Sequence, residues 1–268
     1  MLPLPGGGRF CLFHPAAGNS GGTAAAVYVH PFAEEMNKSR RMAALQARAF
    51  AAAGISVLQI DLMGCGDSAG DFADGSWALW INDVVAAVGW VRERTGLLPF
   101  LWGMRCGCLV ACAALAKLPE IAELVFWQPV ISGRQHLQQF LRLRVAGDLM
   151  GRAGAKRTGT SELRAELESG ATLDIAGYRL SPATALGLDA ADLAPRATRT
   201  RVAWLEVSGS DPPAISPAGE MRITAWRAAG SEVAATAVGG LPFWQTQEIA
   251  ECPPLIDATM AAVLRWDP

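Results

Sequence analysis

The chain has 268 residues, 51% hydrophobic and 18% charged, with 23 lysines and arginines against 25 aspartates and glutamates. That composition supplies one large core, and a net charge of −2 gives no reason to expect a nucleic-acid or anionic-lipid surface. No apolar run reaches the length of a membrane span, and residues 1–8 lack the basic-then-apolar order of a secretory signal. A cytoplasmic protein with reduced cysteines is therefore expected.

Short apolar strands alternate with amphipathic helices, the pattern of an α/β fold with a mostly parallel sheet covered on both faces. In chain order the expected elements are a strand over 9–14, a Gly/Ser/Asn turn over 16–22, and a core strand over 25–30. A helix over 39–53 follows, stopped by Gly54, then a strand over 55–60 ending at Asp61. Residues 76–93 carry the stripe Trp80, Val84, Val85 and Val88 and read as a helix. A strand over 98–102, an apolar helix over 106–117 and a strand over 124–127 come next.

Between 132 and 196 the alternation breaks down into charged helical pieces, 138–150 and 161–168, joined by a Gly/Thr-rich connection over 151–159. This segment is expected to be a cap inserted into a single domain spanning 1–268. Regular patterns resume over 202–207, 232–238 and 254–264, and no internal repeat is visible.

Gly103-Met104-Arg105-Cys106-Gly107 lies between an expected strand and an expected helix. It resembles the G-x-S-x-G nucleophile elbow of α/β-hydrolases, in which the central residue occupies a strained turn and its neighbours two positions away must be small. Here the centre is arginine, which stays protonated and cannot attack a carbonyl. An arginine at a helix N-terminus instead offers a fork of donors to a carboxylate, sulfate or phosphate.

The other members of a serine triad follow the same logic. Asp211 stands where the triad acid follows a late strand, but the only histidines are His14, His30 and His136. A triad histidine would be sought near Gly239–Trp244 and is missing there. His30-Pro31-Phe32 takes the place of an oxyanion loop. Because Pro31 has no N–H, the backbone amides of Phe32 and Cys106 are the candidate oxyanion donors, and His30 braces the loop.

Glu34 and Glu35 are placed to face Arg105, either as an ion-pair network or as carboxylate bases, and Asn37 and Arg40 close by are candidate anion-binding residues alongside Arg105. Trp127 and Gln128, with Gln135, Gln139, Arg142 and Arg144 beyond them, suit a sugar-containing ligand through ring stacking and amide hydrogen bonds. Asp61-Leu62-Met63-Gly64-Cys65-Gly66-Asp67-Ser68-Ala69-Gly70 reads as a tight loop after a strand, with Ser68 as a hydrogen-bonding brace. The six cysteines (11, 65, 106, 108, 112 and 252) show no paired metal-ligand spacing, so neither a metal nor another cofactor is expected.

The stretches 30–41, 61–72, 103–107, 127–130 and 139–144 together closely resemble the exosortase A system-associated hydrolase family, second type. The resemblance spans nearly the whole chain. It implies an α/β-hydrolase fold, an arginine at the elbow as a family feature, and a supporting cytoplasmic role in exopolysaccharide and protein-sorting gene clusters.

Two functional readings follow. One is a binding protein that holds an anionic or sugar-containing small molecule in a former active site. The alternative is a non-triad hydrolase or acyl-transfer enzyme acting on an ester or related carbonyl, in which Asp211, Glu35 or Glu34 activates water beside a surviving oxyanion hole. A purely structural partner with a filled pocket is a third. The oligomeric state is left open.

Overall fold

The computed structural model describes residues 1–18, 22–151, 159–196 and 199–266. The expected connection over 151–159 falls mostly outside the described residues, as does part of the expected turn over 16–22. The described chain divides into two compact units, one made of Cys11–Ile60, Val84–Ile131 and Leu193–Pro268, the other of Met1–Phe10, Asp61–Asp83 and Ser132–Asp192.

The first unit holds the whole central sheet. Its strands are β3 (Cys11–His14), β4 (Ala24–Val29), β5 (Ile55–Ile60), β6 (Phe100–Met104), β7 (Glu123–Trp127), β10 (Arg201–Ser208) and β11 (Glu232–Gly239). Their order is β11-β10-β7-β6-β4-β5-β3, and every pairing is parallel except β3 with β5. Buried parallel strands need apolar residues on both faces, which accounts for near-continuous runs such as Phe100-Leu101-Trp102.

Alternation sorts these residues between two cores. On one face Tyr28, Trp102, Trp127 and Leu205 pack with Met42, Ala43, Ala47 and Phe50 of α1 (Glu34–Ala52) and Leu255 and Val263 of α8 (Pro253–Val263). On the other, Phe126 lies edge-on to Trp204 and to Trp226 of α7 (Pro217–Ala228), at 5.9 and 5.8 Å between centroids. Helix α3 (Cys106–Ala114) packs against β4 and β6.

The second unit joins three sequence segments. An N-terminal hairpin pairs β1 (Leu2–Leu4) with β2 (Gly7–Arg9). The Asp61–Gly70 loop is held by Ser68, whose Oγ donates to the Asp61 carbonyl and accepts from Phe10 N at 2.8 Å. Segment 132–192 contributes α4 (Gly133–Gly151), α5 (Thr160–Glu168), the hairpin β8 (Leu173–Ile175) with β9 (Tyr178–Leu180), and α6 (Pro182–Ala190). This segment is tied to the loop after β5: Phe72 lies edge-on to Tyr178 at 5.1 Å, and Ser181 and Thr184 hydroxyls both donate to the Gly75 carbonyl. The division falls within α2 (Trp77–Thr95), after Asp83.

Several elements differ from the sequence expectation. Helix α1 begins at Glu34, not near 39; Ser39 is buried within it, its hydroxyl donating to the Glu35 carbonyl. The expected 9–14 strand is two strands, β2 and β3. Helix α4 starts at Gly133, not near 138, and a side chain at Gly133 would collide with the Leu188 carbonyl of α6. The β8–β9 hairpin, α6 and α7 add to the expected elements.

Candidate ligand site at the strand ends

Arg105 follows β6 and N-caps α3 with φ 52° and ψ −121°, a backbone conformation that L side chains rarely adopt. The turn is sterically enforced. A Cβ at Gly103 would stand 2.7 Å from the Cys108 Cα, and one at Gly107 would overlap the carbonyl oxygens of Val29 and His30. The elbow glycines therefore let α3 start directly against the end of β4. Backbone bonds from Arg105 N to Trp127 O (2.9 Å) and from Val130 N to Arg105 O (3.2 Å) lock the apex to the β7 end.

Among the described residues four non-glycines have positive φ: Ala33, Arg105, Gln128 and Ala176. Three of these (Ala33, Arg105 and Gln128) sit at carboxyl ends of sheet strands, where ligands bind in open α/β folds. Retained strain of this kind clusters at functional sites.

The guanidinium has specific company. Its Nε lies 3.1 and 3.3 Å from the two Glu35 oxygens, and Nη2 lies 3.0 Å from Oε1. Nη1 donates more weakly to the Gln128 carbonyl at 3.4 Å. Cζ stands 5.4 Å from the centroid of the Trp244 ring, a cation–π distance. The Arg105 and Glu35 side chains keep 14% and 17% of their exposure, so the pair is partly buried but reachable. A cation at a helix N-terminus is disfavoured by the helix dipole, and Glu35 offsets that cost. Of five guanidinium N–H groups, one on Nη1 and one on Nη2 have no protein partner among the described residues.

The structure brings Arg105, Glu35 and the Gln128 main chain together. Trp244, in the stretch where a triad histidine would be sought, joins them; its buried Nε1 has no hydrogen-bond partner among the described residues. The sequence signal for Trp244 is its place after the last strand.

Other candidates lie elsewhere or serve the fold. Trp127 is fully buried and donates from Nε1 to Thr259 Oγ1 at 2.9 Å, which leaves no ring face for a sugar. The Gln128 side-chain oxygen accepts from Val207 N at 2.7 Å, so it closes the β7–β10 edge. Asp211 is exposed in the loop after β10, with no hydrogen bond or ion pair to Arg105 or a histidine among the described residues. Glu34, Asn37 and Arg40 lie exposed on the first turns of α1, and Asn37 Nδ2 is 3.5 Å from Glu34 Oε2.

His30 is buried, with Nδ1 2.7 Å from the Pro31 carbonyl, a contact that braces the loop leading to Phe32. Phe32 and Cys106 are both buried beside the approach of Gly107 to that loop. In the second unit, Gln135, Gln139 and Arg142 are exposed on α4, and Arg144 donates to the Asp174 carbonyl at 2.6 Å.

Two further observations complete the chemistry. Glu206, unremarked in the sequence, is buried on β10 and accepts from Trp204 Nε1 (2.9 Å) and Ser216 N (2.8 Å), so it anchors the start of α7. Burial pushes the Cys108 thiol well above its ordinary range, helped by Cys112 nearby and opposed by Arg105. It is therefore a packing residue and not a nucleophile. No group of three or more His, Cys, Asp or Glu residues suited to a metal occurs among the described residues, and no helix there is long and apolar enough to cross a membrane.

The parallel sheet, the elbow after β6 and the helices around it define an α/β-hydrolase fold. The chain belongs to the family described as serine aminopeptidase, S33, whose pattern matches residues 23–233. No curated protein matches it. Among solved structures it is similar to ferulic acid-bound Est1E from Butyrivibrio proteoclasticus, at 15% identity, TM-score 0.66 and 96% coverage of each chain. It is also similar to XC6422 from Xanthomonas campestris, an α/β serine hydrolase without lid, at 18% identity, TM-score 0.54 and coverage of 98% of this chain and 92% of that one. A thermophilic esterase from Thermogutta terrifontis aligns at 19% identity and TM-score 0.56, over 96% and 92% of the two chains. At these identities the likeness is one of fold.

Proposed function

We propose that this protein uses the hydrolase fold to bind a small molecule at Arg105 and does not cleave esters through a triad. The ligand presents an oxygen group, anionic or part of a sugar, to the guanidinium. The supporting observation is Arg105 itself: it holds the strained backbone of an elbow apex while its side chain is a cation paired with Glu35. The same residue can neither attack a carbonyl nor accept a proton at neutral pH. The exosortase-associated resemblance adds the setting, a cytoplasmic role beside exopolysaccharide synthesis, with segment 132–196 as the cap.

The test is a fluorophosphonate and p-nitrophenyl ester panel read by intact mass and absorbance. No adduct and no turnover above the blank are expected. Arg105→Ser is expected to stay inactive too, because no histidine follows Asp211. Galacturonate, a sugar carrying one carboxylate, is expected to raise the melting temperature of the wild type and not of Arg105→Gln. Ester turnover abolished by Glu35→Gln would replace this reading with the carboxylate-base hydrolase.

A further inference from the structure

We infer that Glu35 sets the charge class of the ligand, an inference that rests on Arg105 being the binding residue. The carboxylate covers the Nε–Nη2 edge of the guanidinium, the edge a bidentate anion would otherwise take. The pair is therefore close to neutral before any ligand arrives, and Glu34 adds a second negative charge on the same turn of α1. What remains for a ligand is one N–H on each of Nη1 and Nη2, with the Trp244 ring against the guanidinium.

An incoming oxygen on those two N–H groups sits within a few ångströms of the Glu35 carboxylate. A hydroxyl, a carbonyl or a single carboxylate tolerates that neighbour. A dianion does not, because its second charge meets Glu35, whose one ion pair among the described residues is with Arg105. The site thus takes a ligand bringing at most one negative charge to Arg105, and Glu35 is the residue that excludes sulfate-like dianions.

Isothermal titration of sulfate and galacturonate into the wild type, Glu35→Gln, Arg105→Gln and the double variant tests this. Sulfate is expected to bind Glu35→Gln at least about tenfold more tightly than the wild type, and to lose that gain in the double variant. In the wild type, sulfate is expected to bind more weakly than galacturonate, a comparison that stands without any variant. Equal sulfate affinity in the wild type and Glu35→Gln, or wild-type sulfate binding as tight as galacturonate binding, overturns the assignment of Glu35. Galacturonate binding that survives intact in Arg105→Gln overturns the underlying site instead.

Discussion

Each of the two units contains an arginine–carboxylate pair, and the contrast between them separates a structural charge from an available one. Arg9 and Asp83 keep 1% and 2% of their exposure. Arg9 Nε binds Asp83 Oδ2 at 2.9 Å, while its other nitrogens donate to the Gly7 and Pro5 carbonyls, and Asp83 also accepts from Met63 N. Arg105 and Glu35 are more open, make longer bonds, and leave two guanidinium N–H groups without a protein partner among the described residues. A fully desolvated pair that also bonds neighbouring backbone holds the chain in place; the more exposed one is within reach of a ligand.

The contrast predicts unequal costs. Asp83→Ala strands a buried guanidinium and the Met63 N–H, and is expected to lose about 3–5 kcal/mol in urea unfolding. Glu35→Ala leaves Arg105 partly solvated and near the Gln128 carbonyl, so a loss of about 1–2 kcal/mol is expected in the same assay. Equal losses would erase the distinction. Trp244→Phe keeps a ring against Arg105 and removes an orphan donor, so stability is expected to change by no more than about 0.5 kcal/mol; a larger loss would mean the indole N–H is bonded.

The smallest effect concerns Glu123, half-buried beside Arg201. Burial holds its carboxyl above the ordinary 4.5, with Arg201 opposing the shift. A carboxyl raised in the folded state binds its proton more tightly there than when unfolded. Its contribution is therefore full below 4.5 and is lost as pH rises through the folded value. Glu123→Gln is expected to flatten the fall of the melting temperature just above that pH; an unchanged profile would contradict the burial effect.

The elbow was legible because its glycines answer a steric demand that sequence spacing records: Gly103 and Gly107 meet the backbones of α3 and β4. The strands were legible from apolar runs buried on both faces. Helices α6 and α7 carry a start signal in the sequence: each begins with serine followed by proline, and Ser181 and Ser216 accept from Thr184 N and Gly219 N as N-caps. A core tryptophan and a stacking one look alike in sequence, and only the 0% exposure of Trp127 separates them. Glu206 was equally hidden, since a lone carboxylate within an apolar strand reveals its need for a partner but not which one. The pairing of Arg105 with a carboxylate could be framed from sequence, while the choice of Glu35 over Glu34 depends on which side of α1's first turn faces β6.

The most direct measurement is a calorimetric titration of galacturonate into the wild type and Arg105→Gln at equal folded concentration. Saturable heat in the wild type that disappears in Arg105→Gln, with both proteins inert toward fluorophosphonate, is the expected result. Identical isotherms, or a covalent adduct on any serine of the wild type, would contradict the account.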